Sequence, residues 1–299
     1  MADYFDPQVL SRIKGYEMRS SRLVESYMSG MHKSKLLGIS TEFAQHRQYV
    51  AGDETKHLDW KVFAKTERYY VKQYEAETNM PVIFLLDASK SMFYQSPQAA
   101  MTKFEYAATT VCTLARLLSL QKDAFGLVLF DRTIRTSMPP KGSHAHFRNM
   151  THTLEHASPG EETDLADVFM NVAPQLKRRS LVIVVSDFIS DIERFALGLG
   201  QISFGHHDVV LFHVEDPQER DFQFRGQTVF VGPENEGRLL CEPRDLRNTY
   251  MEARRRHLNQ VREGALRFGY EMEEMPTDAR LDETLSMFLA LRQARRKRS

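Results

Sequence analysis

Oxygen-bearing side chains occur in three short segments of the sequence. The first segment holds Asp87, Ser89 and Ser91 and directly follows an apolar run at 82–86. A second apolar run, at 181–185, ends in the same way and leads into Asp187. Thr163 lies in a third segment, just before a predicted helix. Two carboxylates and three hydroxyls suit a hard divalent cation, which prefers oxygen ligands.

These segments meet only if the apolar runs are strands of one sheet. From residue 81 onward, short apolar runs alternate with longer helical patterns, which predicts an α/β fold with a doubly wound, mostly parallel sheet. The predicted strands cover 82–86, 125–130, 181–185, 209–214 and 270–273, and the predicted helices cover 101–121, 143–156, 164–178, 191–201 and 243–267. Loops beyond the carboxyl ends of such strands bind ligands. We therefore expect one metal ion to be surrounded by Asp87, Ser89, Ser91, Thr163 and Asp187.

The rest of the chain is predicted to form an arm and an insertion. Residues 1–34 form a predicted N-terminal helical segment, with a helix over 8–32. Residues 35–78 are polar and rich in aromatic side chains, and are expected to form an arm with a strand at 69–75 that packs on the sheet domain. The sheet domain itself covers 79–299. Within it, apolar runs at 228–231 and 238–241 flank a turn sequence at 232–237, which predicts an inserted β-hairpin near 222–242.

The predicted metal is Mg²⁺, with Mn²⁺ or Ca²⁺ as alternatives. Three of its five predicted ligands are neutral hydroxyls, which leaves the charge of the cation incompletely balanced. Such a cation attracts a carboxylate from outside, so the site is expected to bind an acidic residue of a partner rather than to catalyse a reaction. A plainer alternative is that Asp87, Ser89 and Ser91 only cap the start of a helix.

Composition sets further bounds on the function. The 40 basic and 40 acidic side chains balance to a formal net charge of zero, so no overall field draws the chain to nucleic acid or an anionic membrane. No apolar run approaches the roughly 20 residues that span a bilayer, and the charged N-terminus lacks the apolar core of a signal peptide. We therefore predict a cytoplasmic protein without membrane insertion. Two cysteines are too few for a disulfide framework, and Cys112 is expected to be a buried free thiol.

Three other features have plain interpretations. The histidines at 144, 146, 152 and 156 have no cysteine nearby and no HExxH pattern, so exposed helix surface is favoured over a zinc site. Trp60, the single tryptophan, is expected to pack the arm onto the sheet domain rather than to bind a partner. The basic residues at 292–298 are expected to form a solvated chain end.

An enzymatic alternative is a Mg²⁺-dependent phosphohydrolase of the haloacid dehalogenase-like type. Such enzymes use an aspartate nucleophile and a second aspartate two residues later. Position 89 is a serine here, so the general acid–base group is missing. The chain also has no Gly-rich loop for nucleotide phosphates. These departures favour a protein without catalytic activity.

The five predicted ligands resemble the metal-ion-dependent adhesion site of von Willebrand A domains. The match is complete for Asp87-x-Ser89-x-Ser91, Thr163 and Asp187. The resemblance implies that the hydroxyls contact the metal directly or through water, and that the aspartates act mostly through water or hydrogen bonds. It also implies that an acidic side chain of a partner fills the remaining position. The chain departs from the pattern at Glu161 and Glu162, where small residues are common. Their charge would tighten metal binding and weaken the docking of an acidic partner.

The residues before the sheet resemble a bacterial family called domain of unknown function 58. The similar residues are Phe43, Arg47, Tyr49, Gly52-Asp53, Leu58-Asp59-Trp60, Ala64-Lys65-Thr66 and Val71-Lys72, with the later segment 246–250. Lys56 and Lys65 stand where that family often has arginine. The resemblance extends from about residue 35 to 291, and it implies work alongside MoxR-type AAA+ ATPases. Members often carry two membrane helices before this region, which this sequence lacks.

Overall fold

Two compact units make up the part of the chain that can be described. The computed structural model describes residues 3–30, 43–48, 60, 62–63, 69–74, 80–224, 228–231 and 238–296. The larger unit comprises residues 1–27 and 80–299, and the smaller one comprises residues 28–79. In the smaller unit, β1 (Phe43–Gln48) and β2 (Tyr70–Tyr74) pair in antiparallel fashion. Strand β2 confirms the strand predicted at 69–75, whereas β1 was not predicted.

A six-stranded sheet forms the centre of the larger unit. The strands of this unit are β3 (Val82–Asp87), β4 (Phe125–Phe130), β5 (Ile134–Lys141), β6 (Leu181–Ser186), β7 (Asp208–Glu215), β8 (Thr228–Val231), β9 (Arg238–Cys241) and β10 (Glu271–Pro276). The order across the sheet is β10-β7-β6-β3-β4-β5. All neighbouring pairs are parallel except β4 and β5. The predicted α/β fold with a mostly parallel sheet is confirmed.

Helices cover both faces of this sheet. They are α1 (Pro7–Ser11), α2 (Tyr16–Gly30), α3 (Lys103–Leu120), α4 (His144–Glu155), α5 (Leu165–Val172), α6 (Ile192–Ser203), α7 (Pro217–Asp221), α8 (Pro243–Leu266) and α9 (Leu281–Arg296). On one face, side chains of α5, α6 and α8 join alternate residues of β3, β4, β6 and β7 in one apolar cluster. Helix α3 packs against β3, β4 and β7, and α4 and α9 pack against α3. The sheet is therefore doubly wound, as predicted.

The order in which successive strands join the sheet reverses at β3. From β3 it continues to β4 and β5 on one side, whereas β6, β7 and β10 lie on the other side. Every residue of β3, β4 and β6 is buried, as the continuous apolar runs of a parallel sheet covered on both faces require. In such sheets, ligands bind beyond the carboxyl ends of the two strands at the reversal. The loops after β3 and β6 leave the sheet at this point.

The structure corrects several element predictions. The helix predicted over 8–32 is interrupted between α1 and α2, where Gly15 takes a positive φ of 80° that a helix does not allow. Strand β5 was not predicted, and neither were helices α7 and α9. The predicted hairpin is confirmed by the antiparallel pairing of β8 with β9, and its connecting residues 232–237 lie outside the described residues. Cys112 is a buried free thiol, as predicted.

Candidate metal centre at the chain reversal of the sheet

Asp87 lies at the centre of the candidate site. It is the last residue of β3 and is fully buried. Its carboxylate accepts hydrogen bonds from the Ser89 backbone N–H at 2.8 Å and from the Ser186 hydroxyl at 2.6 Å. The Thr163 hydroxyl lies 2.9 Å from both of its carboxylate oxygens. One carboxylate therefore connects the loop after β3, the end of β6 and the loop before α5.

A second set of hydrogen bonds connects the same loops through Asp187. The hydroxyl oxygens of Ser89 and Ser91 lie 3.1 Å apart and share a hydrogen bond. The Ser91 hydroxyl donates to Asp187 Oδ2 at 2.7 Å. With the bonds of Asp87, these contacts bring together all five residues that the sequence predicts as ligands. The three loops meet, as the prediction requires.

Helix capping alone does not explain these side chains. Ser89 stands at the N-cap position of a 3₁₀ helix, Lys90–Phe93, but its side chain makes no capping hydrogen bond. Its hydroxyl instead contacts Ser91. The carboxylate of Asp87 does accept the Ser89 N–H, yet it also accepts hydroxyls from two distant loops. The arrangement therefore points to a shared centre and not to a local cap.

The spacing of the oxygen atoms fits a small divalent cation. An octahedral Mg²⁺ ion, with ligands at about 2.0–2.1 Å, holds adjacent oxygens about 2.9 Å apart. The hydrogen-bonded oxygen pairs of the five predicted ligands lie 2.7 to 3.1 Å apart. Carboxylates and hydroxyls are also the ligand types that Mg²⁺ prefers. The residues present fit the ion, and metal binding itself remains a prediction.

A buried ion pair lies directly behind this set of oxygens. Lys103, the first residue of α3, is fully buried, and its Nζ donates to Asp187 Oδ2 at 2.9 Å. The same Nζ donates to Glu219 Oε1 at 2.9 Å. Glu219 belongs to α7, whose N-cap Asp216 follows β7. One ammonium group therefore bridges the candidate metal ligand Asp187 and a second carboxylate.

Burial and neighbouring charges move the pKa values of these groups in opposite directions. Burial raises the pKa of Asp87 to about 6, and the nearby Asp187 carboxylate adds to the rise. Burial also acts to raise the pKa of Asp187, but the ammonium of Lys103, together with the hydrogen bonds from the Ser91 hydroxyl and the Ile189 N–H, holds the pKa below its ordinary value. Burial acts to lower the pKa of Lys103, yet its two carboxylate partners raise it overall. At neutral pH, Asp87 is therefore a carboxylate that lacks a full counter-charge.

This pKa predicts how the effect of Mg²⁺ depends on pH. The proton and the metal compete for Asp87, so we expect the rise in melting temperature with a fixed concentration of Mg²⁺ to be largest near pH 7.5 and to shrink as the pH falls through about 6 toward 5. Because the pKa of Asp87 is raised, its protonation favours the native state, and the lost effect reports competition rather than unfolding. Thermal unfolding with and without Mg²⁺ measures it. An undiminished shift at about pH 5 would contradict the assignment.

The surface beside the site is open and carries acidic groups. A cavity of about 90 Å³ lies next to Thr163, and its lining includes Ser190, Asp191 and Arg194. The guanidinium of Arg194 is already paired with the carboxylates of Asp164 and Asp167. The lining of the cavity therefore includes one predicted ligand, Thr163.

The sequence prediction missed three residues that shape the site. None of Ser186, Lys103 and Glu219 is singled out in the sequence analysis. Lys103 carries one usable signal, because a basic residue in the first turn of a helix opposes the helix dipole and needs another reason to be there. Glu219 shows only the capping pattern that begins with Asp216. No feature of the sequence shows that Lys103 and Glu219 meet.

The other residues that the sequence singled out lie apart from this centre. His146 is buried with its Nε2 2.9 Å from the Phe125 carbonyl oxygen, so its prediction as exposed helix surface was wrong. The exposed rings of His152 and His156 stack at 4.2 Å. Among the described side chains, no group of three or more His, Cys, Asp or Glu is placed to hold a metal.

Some predictions concern residues of the smaller unit or residues outside the described part of the chain. Trp60 is 62% exposed and meets Phe63 edge-on, with 6.2 Å between the ring centroids. The residues 49–59, 61 and 64–68, which include most of the arm signature, lie outside the described residues, and so do 297–299. No helix in the described part of the chain is long and apolar enough to cross a bilayer.

Structural comparison aligns the chain with several known structures, among them one von Willebrand A (VWA) domain. The crystal structure of BatB from Bacteroides thetaiotaomicron aligns with a TM-score of 0.47 and 14% identity, covering 74% of this chain and 100% of that one. The SpRpn10 VWA domain aligns with a TM-score of 0.40 and 11% identity, covering 68% of this chain and 90% of that one.

Sequence comparison gives the family. An uncharacterized protein of Mycobacterium tuberculosis is 23% identical over 236 residues, which are 78% of this chain and 73% of that protein. The model of the family described as protein of unknown function DUF58 matches residues 45–260. The chain belongs to this family, which confirms the resemblance drawn from the residues before the sheet.

Proposed function

We propose that the chain is a non-enzymatic protein-interaction module that binds an acidic residue of a partner through one divalent cation. The cation is Mg²⁺, with Mn²⁺ or Ca²⁺ as alternatives. Its ligands, directly or through water, are Asp87, Ser89, Ser91, Thr163 and Asp187. The observation that carries this proposal is the hydrogen-bonded set of these five side chains from three loops, at the reversal of the sheet.

The charge of the ligand set favours an acidic partner. When bound, the cation supplies a Lewis-acidic centre that accepts a carboxylate oxygen from outside. The ligand set offers two carboxylates, and one of them, Asp187, already shares its charge with Lys103. The negative charge that the chain itself directs at the cation is therefore modest. A partner carboxylate adds the missing charge.

The same contacts argue against catalysis by Asp87. A nucleophilic carboxylate needs an oxygen that can reach the reacting atom, whereas both oxygens of Asp87 accept hydroxyl hydrogen bonds. Ser89, at the position where a haloacid dehalogenase-like enzyme has its general acid, contacts the Ser91 hydroxyl and cannot serve as an acid–base group near neutral pH. No described contact favours phosphoester hydrolysis. The site is better suited to holding a ligand than to transforming it.

The proposed partner is a MoxR-type AAA+ ATPase, or a client protein on which that ATPase acts in assembly or maturation. The basis is the DUF58 membership of the chain together with the metal motif. We place this interaction in the cytoplasm. The balanced charge of the chain gives no support to nucleic acid as an alternative partner.

Capture of the partner with and without a chelator tests the proposal. The tagged full-length chain is expected to retain a purified MoxR-type ATPase of the same organism in Mg²⁺, to release it in EDTA, and to retain it again when excess Mg²⁺ is restored. Retention that EDTA does not change would contradict metal-dependent binding. No retention in any buffer, together with calorimetric binding of Mg²⁺, would reject the ATPase as the partner and leave the metal site standing.

A further inference from the structure

The buried Lys103 is not explained by the helix that it begins. Its side chain is 0% exposed, and a buried ammonium is unfavourable unless carboxylates surround it. It also occupies the first turn of α3, where the helix dipole disfavours a positive charge. The helix start is already stabilised by the capping box of Thr102 and Glu105. The position of Lys103 therefore reflects its two carboxylate partners.

One of these partners lies at the candidate metal centre. Asp187 Oδ2 accepts both the Ser91 hydroxyl at 2.7 Å and the Lys103 ammonium at 2.9 Å. The ammonium is thus bound to the same oxygen that meets a predicted metal ligand. A positive charge so close repels a divalent cation and has no solvent around it to screen the repulsion.

The second partner, Glu219, balances part of the positive charge of Lys103. Glu219 Oε1 accepts from Lys103 at 2.9 Å, and its Oε2 accepts the Asp216 N–H at 3.2 Å in the capping box of α7. The Tyr250 hydroxyl donates to the Glu219 carbonyl oxygen at 3.0 Å. Glu219 is therefore fixed in place, and Lys103 is shared between two carboxylates of which only Asp187 is a predicted metal ligand.

We propose that Lys103 is a built-in counter-ion that sets the cation affinity of the site, with Glu219 determining how much of its charge reaches Asp187. The inference rests on the proposed function, because it assumes that a divalent cation binds there. It makes Lys103 a positioning and tuning residue. The ammonium lowers the affinity for the metal, and it leaves a bound cation more attractive to the carboxylate of a partner.

Charge tuning predicts shifts of opposite sign for the two partners. Lys103→Met removes a positive charge, so Mg²⁺ should bind more tightly. Glu219→Gln removes a negative charge and leaves the ammonium wholly to Asp187, so Mg²⁺ should bind more weakly. A pairing that only supports the fold predicts something else, because both variants lose the same ion pair and both would distort the site. Their Mg²⁺ affinities would then fall together.

Calorimetric titration of the full-length chain with MgCl₂ tests this difference. We expect a Kd at least about tenfold lower for Lys103→Met, and a Kd several-fold higher for Glu219→Gln, since a buried unit charge acts strongly on a nearby divalent ion. Lys90→Met is the matched control, because Lys90 is an exposed lysine between Ser89 and Ser91. Solvent screens its charge, so its Kd should stay within about threefold of the wild type. Equal signs for Lys103→Met and Glu219→Gln, or no shift in either, would overturn the inference.

A double variant keeps the test decisive if Lys103→Met does not fold. The combination of Lys103→Met with Glu219→Gln removes both charges, so its Kd is expected to lie below that of Glu219→Gln alone. A Kd that is equal or higher would refute the role of Lys103. If the wild type itself takes up no Mg²⁺, the proposed function fails. If the wild type binds Mg²⁺ and the variants shift together, only the tuning by Lys103 is rejected.

Discussion

Replacing Asp87 by alanine is expected to lower the affinity of the chain for Mg²⁺ at least about a hundredfold, because even groups that only support a metal ligand account for 10- to 100-fold. Asp87 does more than support. Its carboxylate is the acceptor for Thr163, for Ser186 and for the Ser89 N–H. The substitution removes a charge from the site and also removes the contact that holds three segments together. Capture of the partner in Mg²⁺ should be lost with it.

The fold itself should survive this substitution. Burial and the neighbouring Asp187 raise the pKa of Asp87 to about 6, so its charged form opposes folding at neutral pH in the absence of metal. Removing that charge offsets part of the stability lost with the hydrogen bonds of Thr163 and Ser186. The melting temperature without Mg²⁺ should therefore change little, whereas the rise on adding Mg²⁺ should disappear.

Asp123→Ala provides the matched control for a buried aspartate. Asp123 is buried, like Asp87 and Asp187, but precedes β4, at the opposite end of the strands. Its replacement is expected to lower the melting temperature and to leave the Kd for Mg²⁺ unchanged. Calorimetry and thermal unfolding of both variants separate loss of the site from loss of the fold. Wild-type Mg²⁺ binding by Asp87→Ala would remove Asp87 from the metal centre.

The parts of the fold that the sequence predicts share one physical property. Strands β3, β4 and β6 are buried on both faces, so their sequences are continuous apolar runs. Such runs are easy to recognise as strands. Strand β5 lies at the edge of the sheet and pairs only with β4. Its residues are partly or fully exposed, and it contains Pro139 and Pro140. Prolines are tolerated in edge strands, but in a sequence they favour the prediction of a loop. Because β5 lies at the edge of the sheet, its sequence lacks the continuous apolar run from which the other strands are predicted.

The candidate site divides in a similar way. The five predicted ligands follow strand ends or precede a helix, and a parallel sheet brings such positions together without any knowledge of side-chain contacts. The ion pair of Lys103 with Glu219 joins α3 to α7, and the two residues lie 116 positions apart in the sequence. Tertiary packing decides this contact, so local patterns of charge or polarity cannot predict it.

Gly160 is the position where a single added methyl group should disturb the site most. Its backbone N–H donates to the Ala88 carbonyl oxygen at 2.8 Å, which attaches the loop of Thr163 to the loop of Asp87. A Cβ at this position would lie 2.1 Å from Asp131 Oδ2 and 2.8 Å from Asp131 Cβ. Asp131 cannot easily turn aside, because it is buried and its carboxylate accepts the N–H groups of Thr133 and Glu161. The loop must move instead.

Gly160→Ala is therefore expected to displace Thr163 and to raise the Kd for Mg²⁺ about tenfold, with a loss of roughly 1–3 kcal/mol of stability from overpacking. Gly200→Ala is the control, since a Cβ there meets nothing nearer than 3.5 Å, at the Phe268 ring. Gly200 lies within α6, where alanine favours the helix by up to about 1 kcal/mol, so this variant should be at least as stable as the wild type and bind Mg²⁺ equally well. Calorimetry and thermal unfolding compare the two. If Gly160→Ala binds Mg²⁺ as tightly as the wild type, the position of the Gly160 backbone does not matter for metal binding. The predicted role of this loop in placing Thr163 would then be wrong.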